Sequence, residues 1–188
     1  MEIHDACKAG NAERVRGLLG ANPELTRAET DDGSMPLHYA ANKEVAELLI
    51  TRGADLNAKS GGPLEWTPVH YAVARGSADV LELLIAKGAD VCERDEHGLT
   101  PLHIAVMVGR KQMGLMLMAA GADVDARSNR GNTPLHAAVR RGDKELSAAL
   151  VTRGADVNAE NDNGWKPLNY AGGSFQDLAD MLRCHGRY

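Results

Sequence analysis

Four histidines occupy one place in a recurring phrase: His38, His70, His103 and His136. A histidine series suggests a metal centre or a proton relay, because imidazole is the commonest metal ligand and titrates near neutral pH. Here the spacing of about 33 residues sets one histidine in each successive segment, in a row and not around one ion. A structural role is expected. Asp55, Asp90, Asp123 and Asp156 recur in the same way, which marks a turn and not a carboxylate pair. Cys184 and His185 adjoin, but sequence neighbours rarely face each other, so no nucleophilic dyad is expected. No Gly-rich phosphate cradle, G-x-S-x-G elbow or H-E-x-x-H occurs. The expectation is a chain without catalytic, cofactor-binding or metal site.

The elements that carry these residues repeat. Pro36, Pro68, Pro101, Pro134 and Pro167 are separated by 32, 33, 33 and 33 residues. Around them stand MPLHYA, TPVHYA, TPLHIA, TPLHAA and KPLNYA. Thr67, Thr100 and Thr133 suit a helix N-cap and the following proline suits the first helical position. Ala40, Ala72, Ala105, Ala138 and Ala171, four residues past each proline, let short helices approach closely. A second helix in each segment carries an apolar stripe: Val45, Leu48, Leu49; Val80, Leu83, Leu84; Met113, Met116, Leu117; Leu146, Ala149, Leu150; Leu178, Met181, Leu182. Gly53, Gly88, Gly121, Gly154 and Gly186 follow, suited to the left-handed residue that ends a helix. Helices of about ten residues are marginal alone in water, so their stability must come from stacked neighbours.

The period and the phrase T-P-L-H-x-A closely resemble the ankyrin repeat. The resemblance implies a mostly α solenoid: helix-turn-helix units joined by β-hairpin-like fingers in a right-handed stack. It also implies that each Thr–His pair hydrogen-bonds within and between repeats. Met35, Lys166 and Asn169 break the phrase, so that network should thin at the second and sixth repeats.

One domain over 1–188 is expected, with repeats at about 1–31 (an N-terminal cap), 32–63, 64–97, 98–130, 131–163 and 164–188 (a C-terminal cap). The cap's helix signals run from Ile3 to Lys8 and from Ala12 to Leu19, with His4, Asp5, Lys8, Glu13, Arg14 and Arg16 as a polar coat. The second repeat is irregular: Pro36 to Gly53 takes 17 residues where Pro68 to Gly88 takes 20. Either its first helix is short or its turn is tight. The finger after it is longer, its tip runs from Ser60 to Trp66, and this finger should protrude. In the last repeat Gly172 and Gly173 should weaken the first helix, and Gly186-Arg187-Tyr188 stops where a finger would begin.

The net charge of -5 with mixed signs does not suit a nucleic-acid binder, which would show a basic footprint. Cys7, Cys92 and Cys184 form no C-x-x-C pair, and their odd number favours reduced thiols and a cytoplasmic location, with the nucleus left open. No signal peptide or membrane span is read. The start and end suit a small stand-alone monomer.

Carrying the family's variable positions across gives the expected contact residues. In the fingers they are Trp66; Glu96, His97 and Leu99; Asn129, Arg130 and Asn132; Asp162, Asn163 and Trp165. On the first helices they are Arg75, Met107, Val108, Arg140 and Arg141, on the side the resemblance makes concave. Exposed Trp and Arg are favoured interface anchors, although each indole could instead cover its own finger. The expected function is non-catalytic binding of a protein partner through fingers and concave helix face. The alternative is a regulatory or inhibitory subunit, or a targeting fragment, acting on a catalytic partner. Asn57 and Asn158 also resemble asparagines hydroxylated in some ankyrin proteins.

Overall fold

A computed structural model describes residues 2–171 and 176–185. Among them are ten α-helices: α1 (Glu2–Lys8), α2 (Ala12–Ala21), α3 (Lys43–Thr51), α4 (Pro68–Arg75), α5 (Ala78–Ala86), α6 (Pro101–Met107), α7 (Lys111–Ala119), α8 (Pro134–Arg141), α9 (Lys144–Thr152) and α10 (Gln176–His185). Three 3-10 turns, Pro23–Arg27, Pro36–Tyr39 and Pro167–Tyr170, complete them. The expectations for Gly172, Gly173, Gly186, Arg187, Tyr188 and the side chain of Leu178 lie outside the described residues.

Spatial neighbours divide the chain into two compact units, 1–96 and 97–188. In the first, α1, the turn Pro36–Tyr39 and α4 form one row, and α2, α3 and α5 form a second row packed on it. In the second, α6, α8 and the turn Pro167–Tyr170 form one row, and α7, α9 and α10 the other. The cores are aliphatic. Ile3, Leu19, Leu49, Leu81 and Leu84 are fully buried in the first unit, and Leu102, Leu117, Leu135, Leu146 and Leu150 in the second. Each such side chain contributes about 1.5–3 kcal/mol on leaving water.

The missing residues of the second repeat come out of its first helix. Pro36–Tyr39 is a single 3-10 turn where α4 runs for eight residues, and Ala40 and Ala41 bridge directly to α3. Asn42 then caps α3 through its side-chain oxygen, 3.0 Å from the Val45 N–H, and donates from Nδ2 to the Gly10 carbonyl at 3.0 Å. Asn11 and Asp143 cap α2 and α9 in the same manner.

Three expectations about burial need correction. His4 is not part of a polar coat: it is 1% exposed, and its Nε2 meets the Ala28 carbonyl at 3.0 Å. The turn Pro23–Arg27, which the sequence does not announce, folds back and supplies that carbonyl side. In α7 the buried face is Met113, Gly114, Leu117 and Met118, with Met116 only half-buried. Bare Gly114 admits Leu146, whose Cδ2 would sit 3.2 Å from an added Cβ, and that rotates the buried face toward Met118. Leu48 and Ala149 are likewise half-buried.

The fingers are hairpin-like loops, and no strand occurs among the described residues. One backbone hydrogen bond closes each of four loops: Thr30 to Ser34, Ser60 to Trp66, Ser128 to Asn132 and Asn161 to Trp165, at 2.9–3.0 Å. Within each unit successive fingers are joined by a further bond, Glu96 N–H to Leu64 carbonyl in the first, and Asn129 to His97 and Asp162 to Arg130 in the second. In the first unit two fingers touch through bare backbone. A Cβ on Gly33 would lie 2.7 Å from Gly61 Cα.

Candidate functional site

The histidine row is explained by hydrogen bonds made at both ring nitrogens. In each of the four phrases the N–H of the residue before proline donates to imidazole Nδ1: Met35 to His38 at 2.9 Å, Thr67 to His70 at 3.3 Å, Thr100 to His103 at 3.2 Å and Thr133 to His136 at 3.1 Å. Nδ1 therefore carries no proton, and Nε2–H donates. Its acceptors are backbone carbonyls of the following finger: Ala58 for His38 at 2.8 Å, Asn132 for His103 at 3.0 Å and Trp165 for His136 at 3.0 Å. One ring thus ties a helix start to a finger. Burial holds His38 and His136 below the usual imidazole range, so both stay neutral at pH 7. The threonine hydroxyls sit 2.9–3.0 Å from Nδ1 in three repeats and are missing at Met35 and Lys166. In the sixth repeat Asn169 Oδ1 accepts the Lys166 N–H at 2.7 Å, reproducing the Nδ1 half of the motif.

The aspartate series is a set of turns. Asp55, Asp90, Asp123 and Asp156 each accept from the backbone N–H two residues on, at 2.7–2.9 Å. Asn57 Oδ1 also accepts the Asp90 N–H at 2.8 Å, and Asp125 serves Asp156 in the same way. His185 Nδ1 faces the Met181 carbonyl at 2.8 Å, not the adjacent Cys184. No cluster of three metal-ligating side chains occurs among the described residues.

Several of the fifteen expected contact residues have a job inside the fold. The Trp66 indole N–H donates to Asp95 at 3.1 Å, and its ring stacks on His70 and meets Tyr71 edge-on. Arg75 lies over Tyr39 and Tyr71 and reaches the Tyr39 carbonyl at 3.5 Å. Arg141 holds the equivalent place in α8 and donates to the Met107 carbonyl at 2.9 Å, closing the end of α6. Asp162 pairs with Arg127 at 3.4 Å, and Asn163 shares the Asn161 turn. Glu96 is exposed and bonded to Leu64 through its backbone. Trp165 is different from Trp66: it is 49% exposed, and its ring leans on Tyr170 with centroids 5.3 Å apart.

Seven of the remaining positions surround one hollow in the second unit, of about 270 Å³: His97, Leu99, Met107, Asn129, Arg130, Asn132 and Arg140. Met107 is 38% exposed at its edge, and Val108 beside it is 46% exposed. Sequence reasoning missed His103, Ser128, His136, Ala137 and Tyr170, which also line it. A signal existed. The fifth residue of the phrase is Tyr39, Tyr71, Ile104, Ala137 and Tyr170 in turn, so the fourth copy alone has a side chain as small as alanine there. In the first unit that place is filled by rings: Tyr39 and Tyr71 meet at 5.9 Å, and Trp66 closes on Tyr71 at 5.4 Å. At Ala137 the space stays open.

Short helix pairs at a fixed period, with an imidazole joining helix start to finger at His38, His103 and His136, define a helical repeat scaffold. The chain belongs to the ankyrin repeat family: a profile of three ankyrin repeats matches residues 3–60, 42–128 and 102–187. Over 102 residues it is 30% identical to Ankyrin repeat and SAM domain-containing protein 6 of Rattus norvegicus, covering 53% of this chain and 11% of that protein. Over 100 residues it is 36% identical to the BTB/POZ domain and ankyrin repeat-containing protein NPR3 of Oryza sativa, covering 51% and 16%. It is 31% identical over 100 residues to Palmitoyltransferase Hip14 of Drosophila melanogaster, covering 52% and 15%. The chain therefore spans 11–16% of the length of these relatives. Ankyrin repeats are in general protein–protein interaction modules. No helix among the described residues is long and apolar enough to cross a membrane.

Proposed function

We propose that this chain binds a protein partner through the fingers and first-row helices of its second unit. Met107, Val108 and Trp165 carry the energy, and Leu99, Asn129, Arg130, Asn132 and Arg140 form the surround. The supporting observation is the exposure of three large apolar side chains at helix and finger ends, where no core requires them. Interface energy concentrates in such anchors. Trp66, Arg75 and Arg141 serve the scaffold first, through Asp95, Tyr39 and Met107.

The test is photo-crosslinking in the native host from a reactive residue at Met107, with one at Gln112, exposed on α7, as control. A partner captured from Met107 and not from Gln112 is expected. Capture from Gln112 alone would refute the assignment. A second reading makes the chain a targeting part of a longer or catalytic assembly. It is supported by the likeness to a relative named as a palmitoyltransferase, of which the chain covers 15%. Under that reading the captured partner is itself an enzyme.

A further inference from the structure

The hollow in the second unit has a shape and a charge that select what can occupy it. Its shape comes from Ala137, which stands where Tyr39, Tyr71 and Tyr170 carry rings. A void of ~150 Å³ suffices to hold a benzene ring. At about 270 Å³, the hollow has room for one large side chain and part of the backbone that bears it. The apolar wall is Leu99, Met107 and Ala137, and Tyr170 faces it.

Its charge comes from Arg130 on the finger and Arg140 on α8. Neither guanidinium makes an ion pair or hydrogen bond among the described residues, and no Asp or Glu lines the hollow. Of the acids on the adjoining fingers, Asp162 pairs with Arg127 and Glu160 with Lys166, while Glu96, next to His97, is exposed. In a chain of net charge -5, a hollow whose only formally charged lining residues are two arginines is a local reversal. His136, which forms part of the lining, is held neutral by burial and adds no charge. Guanidinium groups recognise carboxylates through paired hydrogen bonds.

We propose that this hollow receives one aromatic or large aliphatic side chain of an extended partner segment, with carboxylates on either side of it meeting Arg130 and Arg140. This rests on the protein-binding reading above and narrows it to an acidic segment with one apolar anchor. The anchor enters the space that a tyrosine fills in the first, second and fifth copies of the phrase. The two arginines fix the direction and position of the segment along the groove.

The experiment selects short peptides from a random phage-displayed library on the full chain and measures their affinity by fluorescence anisotropy. Selected peptides should share one Phe, Tyr, Trp, Leu or Met flanked by Asp or Glu. Ala137→Tyr fills the hollow with the residue its sister positions tolerate and should weaken binding about tenfold or more. Arg130→Glu and Arg140→Glu should each weaken it about tenfold, the worth of one charge-assisted hydrogen-bonded pair, and more at low salt. Unfolding by urea verifies that each variant is folded, and Ala137→Ile, the residue of the third copy, serves if the tyrosine does not fit. Peptides without acidic enrichment, or binding unchanged in the three variants, would overturn the inference. So would an oligonucleotide that competes better than any peptide. Peptides lost on Met107→Glu but indifferent to Ala137→Tyr and both charge reversals would leave the broader interaction surface standing while refuting this occupant. Selection of no peptide, or peptides that crosslink only to α7 and α9, would remove both.

Discussion

Replacing His136 by asparagine and by alanine separates the two halves of the imidazole motif. The ring is 1% exposed, accepts the Thr133 N–H at 3.1 Å and donates to the Trp165 carbonyl at 3.0 Å. His136→Ala removes both bonds and the packed ring. The buried Thr133 N–H is then orphaned, at about 1–3 kcal/mol, and the carbonyl bond and lost packing add about 2 kcal/mol, for a total of about 3–5 kcal/mol. His136→Asn should lose less, because Asn169 shows that an asparagine at this place accepts the N–H three residues back, at 2.7 Å. Only the finger bond and part of the ring's contact disappear, which costs about 1–2 kcal/mol. The assay is urea unfolding followed by far-UV circular dichroism, with the slope constant and the midpoint read as stability. The expected order is wild type, Asn, Ala, with about 2 kcal/mol between the variants. Equal losses for Asn and Ala, or a loss below about 1 kcal/mol for Ala, would refute the bridging role.

Further outcomes follow from other features. Burial lowers the pKa of His4, His38 and His136, so the unfolded chain binds more protons once pH falls below the free imidazole value of about 6.5. Their stabilising effect is complete above that pH and lost as pH falls through the folded values; urea midpoints should therefore drop on acidification, and a flat profile would contradict the neutral-ring assignment. Gly33→Ala should destabilise by about 2 kcal/mol or more, since Gly33 has φ +65° and its new Cβ would meet Gly61 at 2.7 Å. An unchanged melting temperature would show that the fingers part freely. Cys7, whose thiol is buried and pushed up to about 12, should resist a thiol reagent that labels exposed Cys92 and Cys184, until denaturant is added. Prompt labelling of all three in the native state would disprove its burial.

Much of the fold was legible because its physics is local and repeated. A proline after a cap, a glycine at φ +84° to +92° after α3, α5, α7 and α9, and an apolar stripe between them are sequence-near signals, and each is found in place. The turn role of Asp55, Asp90, Asp123 and Asp156 was legible for the same reason, since donor and acceptor lie two residues apart. What depended on contacts between repeats was less so. The burial of His4 needs the Ala28 carbonyl, and the rotation of α7 needs Gly114 against Leu146. Periodicity assigns a face but cannot see which neighbour it will meet. The lining of the hollow was half legible. Position in the phrase picked out Met107, Arg130 and Arg140, but Trp66 and Trp165 share one position and differ in environment, because only Trp66 has an Asp95 to bind. The hollow depends on a small side chain where other copies of the phrase carry large ones, a difference that charged and aromatic anchors do not reveal.

The imidazole of His136 has one edge on the start of α8 and the other on the finger carbonyl of Trp165, and it also forms part of the hollow's lining. The spacing of helix start and finger is accordingly held by one buried ring gripping main-chain atoms, which every residue type possesses. On the binding reading proposed above, decoration and frame are uncoupled: exchanging Met107, Arg130 or Arg140 would rewrite what the cleft prefers while its jaws keep their separation. Such an arrangement would let one lineage change clients by surface substitutions alone, without reopening the problem of how to fold.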